Sequence, residues 1–94
     1  MNNLSVVILN YNSGIFLLRC LESLEKHSND LKLDVWVVDN TSKDESIELA
    51  QKKFPKLNYI LEKENQGFAR GNNLGLKKVK NELGDLADKN VLRL

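Results

Sequence analysis

The sequence feature that most restricts the fold is a short apolar run that ends in a carboxylate. Residues 35–38 are β-branched or aromatic and uncharged, and Asp39 follows them directly. An uninterrupted run of this kind is typical of a strand buried on both faces of a parallel sheet. Ligands of open parallel sheets bind beyond the carboxyl ends of the strands. Asp39 therefore has two interpretations: a ligand contact, which we favour, or a partner for the dipole of the next helix.

Apolar runs alternate with helical patterns along the chain. The predicted strands cover residues 4–9, 33–40, 57–61 and 90–94, and the predicted helices cover residues 15–26, 42–54 and 67–81. This alternation indicates an α/β fold, in which an open, mainly parallel sheet of about four strands has helices on both faces. No linker suggests a second domain, so residues 1–94 are expected to form one partial domain.

Several residues have predicted structural roles. Ser42 and Glu45 have the capping-box spacing, so Ser42 is predicted to be the N-cap of the second helix and Glu45 to bond back to it. Pro55 is predicted to end that helix. Gly75 is expected to allow close packing of the third helix on the sheet. Cys20 is expected to be a small core residue rather than a nucleophile.

Composition limits the classes of function. Of the 94 residues, 41% are hydrophobic and 29% are charged, as in ordinary soluble globular proteins. The net charge of +1 predicts no nucleic-acid partner. No apolar run approaches the roughly 20 residues of a transmembrane segment, and no signal peptide is expected. The single cysteine fits a reducing compartment. We expect a cytoplasmic protein, with peripheral membrane association left open.

Three polar segments at predicted strand ends resemble, in order, the nucleotide-binding segments of the family 2 glycosyltransferases, which have the GT-A fold. The segments are ILNYN at 8–12, VWVVDN with TSKDES at 35–46, and ENQGFARGNN at 64–73. The glycine spacing of the last segment fits neither the dinucleotide fingerprint nor a phosphate loop. The resemblance extends from Leu4 to about Val79. It implies the Rossmann-like, donor-nucleotide-binding N-terminal half of a glycosyltransferase domain.

The resemblance implies a nucleoside site built from these three segments. The Asp39 carboxylate would accept the imide N–H of a pyrimidine base, and Tyr11 would lie against the base or the ribose. Arg70 is either a partner of the diphosphate or a solvated side chain on a helix. The implied nucleotide-binding residues are Asn10, Tyr11, Asn12, Asp39, Asn40, Gly67, Phe68, Ala69, Arg70 and Asn73.

The resemblance also implies an inverting transfer of a sugar to an acceptor hydroxyl. The donor would be a UDP-, dTDP- or GDP-linked sugar. A divalent metal, Mg²⁺ or Mn²⁺, would neutralise the diphosphate, and a carboxylate would act as general base. In the family the metal is bound by an Asp-containing motif at the end of the fourth strand, and the general base lies further on. Asp85 and Asp88 have the wrong spacing for the metal motif. We therefore assign no catalytic or metal residue here and expect the 94-residue chain to be inactive by itself.

Two other interpretations are weighed against this one. The first is a stand-alone nucleotide-binding or interaction module that keeps the sheet without the chemistry. The second is a flavodoxin-like regulatory domain, which would need acidic residues where Asn10, Tyr11 and Asn12 stand. If the fourth strand lies beside the first, the sheet ends in an apolar edge that can recruit another chain. We therefore expect a homodimer, strand exchange or aggregation.

Overall fold

The computed structural model of the chain describes residues 3–28, 32–62, 75, 77–79 and 91–94. The elements are β1 (Asn3–Asn10), α1 (Phe16–His27), β2 (Lys32–Asp39), α2 (Ser46–Lys53), β3 (Asn58–Leu61) and β4 (Val91–Arg93). Residues 75 and 77–79 are helical, and the rest of the predicted third helix lies outside the described residues. Within the part of the chain that is described, no helix is both long and apolar enough to cross a membrane.

The four strands form one parallel sheet in the order β3-β2-β1-β4. Strand β1 pairs with β2 along its whole length, so that Asn10 lies opposite Asp39 at the carboxyl edge. Strand β4 pairs with the other side of β1. The predicted α/β fold and the position of the fourth strand beside the first are confirmed. The self-association expected through the sheet edge stays a prediction.

Alternate side chains of the inner strands fill two cores, one on each face of the sheet. The first core contains Ile8 and Val37, which pack with Leu17 of α1 and are covered by α2. The second contains Val38 and Val79, the latter from the helical residues 77–79. These side chains are completely buried. Helical segments therefore cover both faces, as the alternation of strands and helices predicts.

Gly75 and Cys20 have the packing roles predicted for them. A Cβ atom at Gly75 would overlap the side chain of Val38, so glycine is needed for this close approach to β2. Cys20 is partly buried against the first core. Burial raises the pKa of its thiol, which keeps the thiol protonated and unreactive at neutral pH.

The beginning of α2 differs from the capping-box prediction, which is wrong. The helix begins at Ser46, and Glu45 at the N-cap makes no capping hydrogen bond with its side chain. Asp44 caps the helix instead, because its Oδ1 accepts hydrogen bonds from the N–H (3.1 Å) and the hydroxyl (2.6 Å) of Ser46. The helix therefore begins four residues beyond Ser42, the predicted N-cap.

The delay has a physical cause in the loop that follows β2. Thr41 has a φ of 52°, in the left-handed region, so the chain turns before it can enter a helix. The Ser42 hydroxyl then bonds to neighbouring strand ends instead of to the helix. It donates to Asp39 Oδ1 (2.5 Å) and accepts from the Asn12 N–H (2.8 Å).

Candidate functional site

A buried hydrogen-bond network joins the ends of β1 and β2. Asn10 and Asp39 are only 1% and 5% exposed. The Asn10 Nδ2 donates to Asp39 Oδ1 (2.9 Å) and to Ser46 Oγ (3.0 Å), and its Oδ1 accepts a short hydrogen bond from the Ser13 hydroxyl. Because both ends of the amide are used, Asn10 ties the β1 loop, β2 and α2 together.

The Asp39 carboxylate is engaged almost entirely inside the protein. Its Oδ1 accepts from Asn10 Nδ2 and from the Ser42 hydroxyl, and its Oδ2 accepts from the Ser42 N–H (2.9 Å). The main-chain oxygen of Asp39 accepts from the N–H of Glu62 (2.9 Å). A carboxylate offers about four acceptor positions, so little capacity is left for a ligand. Asp39 holds three strand ends in register.

Further hydrogen bonds fuse the loops after β1 and β2 into one unit. The Lys43 N–H donates to Asn12 Oδ1, and the Gly14 N–H donates to Asp44 Oδ2, each over 2.8 Å. Asn12 and Gly14 have φ angles of 47° and 60°. Asparagine and glycine tolerate this region better than other residues. We call the hydrogen-bonded residues 10–14 and 39–46 the edge unit.

Asp44 is an exposed carboxylate of the edge unit that accepts hydrogen bonds from both of its loops. Desolvation raises its pKa, but hydrogen bonds from the Ser46 hydroxyl and from the N–H groups of Gly14 and Ser46 outweigh this, so the pKa lies below its ordinary value. The ionised carboxylate lies at the N-terminus of α2, where the helix dipole favours a negative charge. Asp44, rather than Asp39, is therefore the carboxylate that interacts with the dipole of α2.

A groove of about 540 Å³ lies between the β2–α2 loop, α2 and the end of β3. It is lined by Asp39, Thr41, Ser42, Lys43, Asp44, Ile47, Glu48, Gln51, Leu61 and Glu62. The acidic side chains outnumber the basic ones. Two buried atoms in the wall, Thr41 Oγ1 and Glu62 Oε1, have no hydrogen-bond partner among the described residues. The groove therefore combines a negative character with unused hydrogen-bonding capacity.

The structure brings half of the predicted nucleotide-binding residues together. Asn10, Tyr11 and Asn12 belong to the edge unit, as do Asp39 and Asn40. Tyr11 is half-buried, whereas Asn40 is fully buried and its N–H donates to the Asn10 carbonyl oxygen (3.1 Å). The remaining predicted residues, Gly67, Phe68, Ala69, Arg70 and Asn73, lie outside the described residues, and their roles stay predictions.

The sequence reasoning did not identify Thr41, Ser46 or Glu62. Ser46 ends the polar run that follows β2, and it is completely buried beneath the edge unit. Glu62 follows β3 directly, and Thr41 stands two residues after β2. Their positions next to strand ends are the signal that could have identified them. The prediction used that signal for the first two strands and for the glycine-containing segment alone.

In a comparison with protein-family models, the chain matches the model of Glycosyl transferase family 2 over residues 5–84. The matched range includes the edge unit and both partnerless atoms of the groove. A search of the curated proteins gives no match. The parallel sheet with helical segments on both faces agrees with the Rossmann-like part of a GT-A fold. Because the family model spans most of the chain, this chain belongs to glycosyl transferase family 2.

Proposed function

We propose that the chain binds the nucleotide of a nucleotide-diphospho-sugar and forms the donor side of an inverting glycosyl transfer to an acceptor hydroxyl. Membership of the family supports glycosyl transfer in general. The edge unit is the observation that carries the finer proposal. It presents polar loops, tied together by hydrogen bonds, at the carboxyl ends of β1 and β2, where open parallel sheets bind ligands.

The contacts within the edge unit suggest different tasks for its members. In this proposal Tyr11 and Asn12 are the described residues that contact the nucleoside, whereas Asn40 is 1% exposed and acts as a positioning residue. Asp39 acts mainly as a positioning residue, because three internal hydrogen bonds already occupy its oxygens. Its remaining acceptor position could still take an imide N–H of the base. The further contacts that the proposal needs come from Gly67, Phe68, Ala69, Arg70 and Asn73.

The described residues do not fit a divalent metal. Among them, no three His, Cys, Asp or Glu side chains are grouped so that they could hold an ion. The carboxylates of Asp39 and Asp44 accept hydrogen bonds from Ser42, Ser46 and Gly14 instead. We propose that Mg²⁺ or Mn²⁺ and the general base are held by other residues of the enzyme, and we assign no step to them here.

Titration calorimetry with UDP, dTDP and GDP tests the proposal on a sample shown to be folded by circular dichroism. We expect one-to-one binding of at least one of these nucleotides. Substitution of Tyr11 by leucine should then weaken binding about threefold to tenfold, since an aromatic contact contributes about 0.5–1.5 kcal/mol.

Phe16→Leu is the matched control, because Phe16 is an aromatic residue near the same edge that is 65% exposed at the start of α1. It should bind as the parent does. The absence of heat with all three nucleotides would contradict the proposed function.

A further inference from the structure

We infer that copies of this chain associate head to tail, with Phe16 of one copy inserted into an apolar pocket at the other end of α1 in the next copy. This contact is separate from the exposed sheet edge considered above. The pocket shares no lining residue with the groove, and the inference does not depend on the proposed function.

The pocket opens between the end of α1, the start of β2 and the segment after α2, and its volume is about 180 Å³. Its apolar lining consists of Leu21, Leu24, Leu33, Val35, Phe54 and Leu57. An apolar cavity of about 150 Å³ takes up benzene, whereas sites for larger ligands measure about 300–1,000 Å³. The pocket therefore has the size and chemistry to receive one aromatic side chain, and it is too small for a nucleotide.

Phe16 is the side chain of this protein that matches the pocket. It is 65% exposed, and Ile15 beside it is 45% exposed, so the start of α1 presents two adjacent apolar side chains to water. Among the large apolar side chains exposed on the described part of the chain, Phe16 is the aromatic one. Aromatic side chains that fill a pocket are the typical anchors of protein interfaces.

The geometry of α1 requires the ring to come from another copy. Phe16 is the first of the 12 residues of this helix, and the pocket is walled by Leu24 and Ser28 at its other end. A helix of this length spans about 18 Å, so Phe16 cannot enter the pocket of its own chain. The contact joins two different surfaces and leaves one of each free at the ends of every assembly. Contacts of this type continue into open chains or close into rings.

The charges at the two ends of α1 and α2 are complementary. At the pocket end, Lys53 and Glu22 form an ion pair and offset each other. The other exposed charges of the described residues are Lys26, Lys52, Lys56 and Glu25 at or just after the helix ends, and Arg19, Lys43, Asp44, Glu45 and Glu48 at or just before the first turns. With His27 neutral, the pocket end has two positive charges in excess and the Phe16 end has one negative charge in excess. Opposite signs favour the pairing of unlike ends.

The test measures the mass of the chain by sedimentation velocity from about 10 μM to about 1 mM. The mass of the parent should rise with concentration and pass that of a dimer. Phe16→Ser removes the aromatic side chain, and Ser28→Trp covers the mouth of the pocket, so each should raise the Kd of association at least about tenfold. Leu92→Ser is the matched control, because Leu92 is an exposed apolar residue on β4, and it should associate as the parent does.

Mixing the two variants tests the pairing of unlike surfaces directly. Phe16→Ser keeps the pocket and Ser28→Trp keeps the phenyl ring, so an equimolar mixture should form dimers that do not grow further. Circular dichroism establishes that each variant is folded, and Leu57→Gln replaces Ser28→Trp if that variant is not. A parent that stays monomeric, a mixture that stays monomeric, or association that persists in both variants would overturn the inference. Association lost in Leu92→Ser but kept in Phe16→Ser would also overturn it and would assign the contact to the sheet edge.

Discussion

Two adjacent regions of the carboxyl edge use their polar residues in opposite ways. In the first region, the ends of β1 and β2, the side-chain oxygens of Asn10 and Asp39 all accept hydrogen bonds from the protein. In the neighbouring groove, Thr41 Oγ1 and Glu62 Oε1 are buried without a partner among the described residues. The first region stabilises the fold, and the second retains capacity for a ligand. A polar residue at a strand end is therefore a stronger candidate for a ligand contact when part of its hydrogen-bonding capacity is unused.

The largest effect on stability should come from Asp39→Asn. If this variant were as stable as the parent, the contrast between the two regions would not hold. The amide nitrogen would face donors from Ser42 or Asn10, and the charge-assisted hydrogen bonds would be lost. We expect the free energy of unfolding to fall by about 3 kcal/mol, measured by urea denaturation. Lys56→Gln, which removes an exposed charge from the turn between α2 and β3, is the control and should unfold as the parent does. Equal midpoints for Asp39→Asn and the parent would show that the network contributes no stability.

Asn10→Ala should have the next largest effect. It removes the donor to Asp39 and Ser46 and the acceptor of the Ser13 hydroxyl. A loss of about 2 kcal/mol in the free energy of unfolding is expected, because buried groups are left without partners. Asn58→Ala is a matched control, since Asn58 also donates from a partly buried amide but lies away from the edge unit. A larger loss in the control would contradict the special role of the network.

Thr41→Gly should raise stability, whereas the two substitutions above should lower it. Glycine adopts a positive φ without strain, so the free energy of unfolding should rise by about 1 kcal/mol. Asn12 also has a positive φ, but its Oδ1 accepts a hydrogen bond from the Lys43 N–H, so Asn12→Gly should gain no stability. A destabilised Thr41→Gly chain would mean that the threonine side chain supports the loop.

The smallest effect is expected from Asp44→Asn and depends on pH. The folded-state pKa of Asp44 lies below its ordinary value, so the ionised form stabilises the fold above the unfolded-state pKa, near 4. This contribution is lost as the pH falls through the folded-state pKa. At pH 7 the variant should be less stable by about 0.5 kcal/mol, because it loses the negative charge at the N-terminus of α2. Thermal unfolding followed from about pH 2 to about pH 7 should show the melting temperatures of the two chains converging in acid. Parallel curves would contradict the role of the Asp44 charge.

The strands and the edge to which they lead could be predicted from the sequence because they depend on strong, local signals. Uncharged β-branched runs specify buried parallel strands, and Asp39 marks the point where the second run ends. The requirement for Gly75 could also be predicted, since a glycine inside a helical pattern indicates close packing. These features need no knowledge of which residues meet across the fold.

The cap of α2 and the wall of the groove could not be predicted in this way. The spacing of Ser42 and Glu45 matches a capping box, but the Ser42 hydroxyl is taken by Asp39 and Asn12, which reach it only in the folded chain. The positive φ of Thr41 is likewise imposed by the surrounding loops. Burial of Glu62 depends on its contacts in the folded chain, which include the ion pair with Lys78, so its unused oxygen has no signature in the sequence.

The position of β1 between β2 and β4 has a consequence for synthesis on the ribosome. β1 can pair with β2 once residue 39 has emerged, but its other side waits for residues 91–93. At ordinary elongation rates of about 5–20 residues per second, the interval lasts roughly 3–10 s. During that time the nascent polypeptide presents an unpaired strand edge, the kind of surface through which incompletely folded chains aggregate.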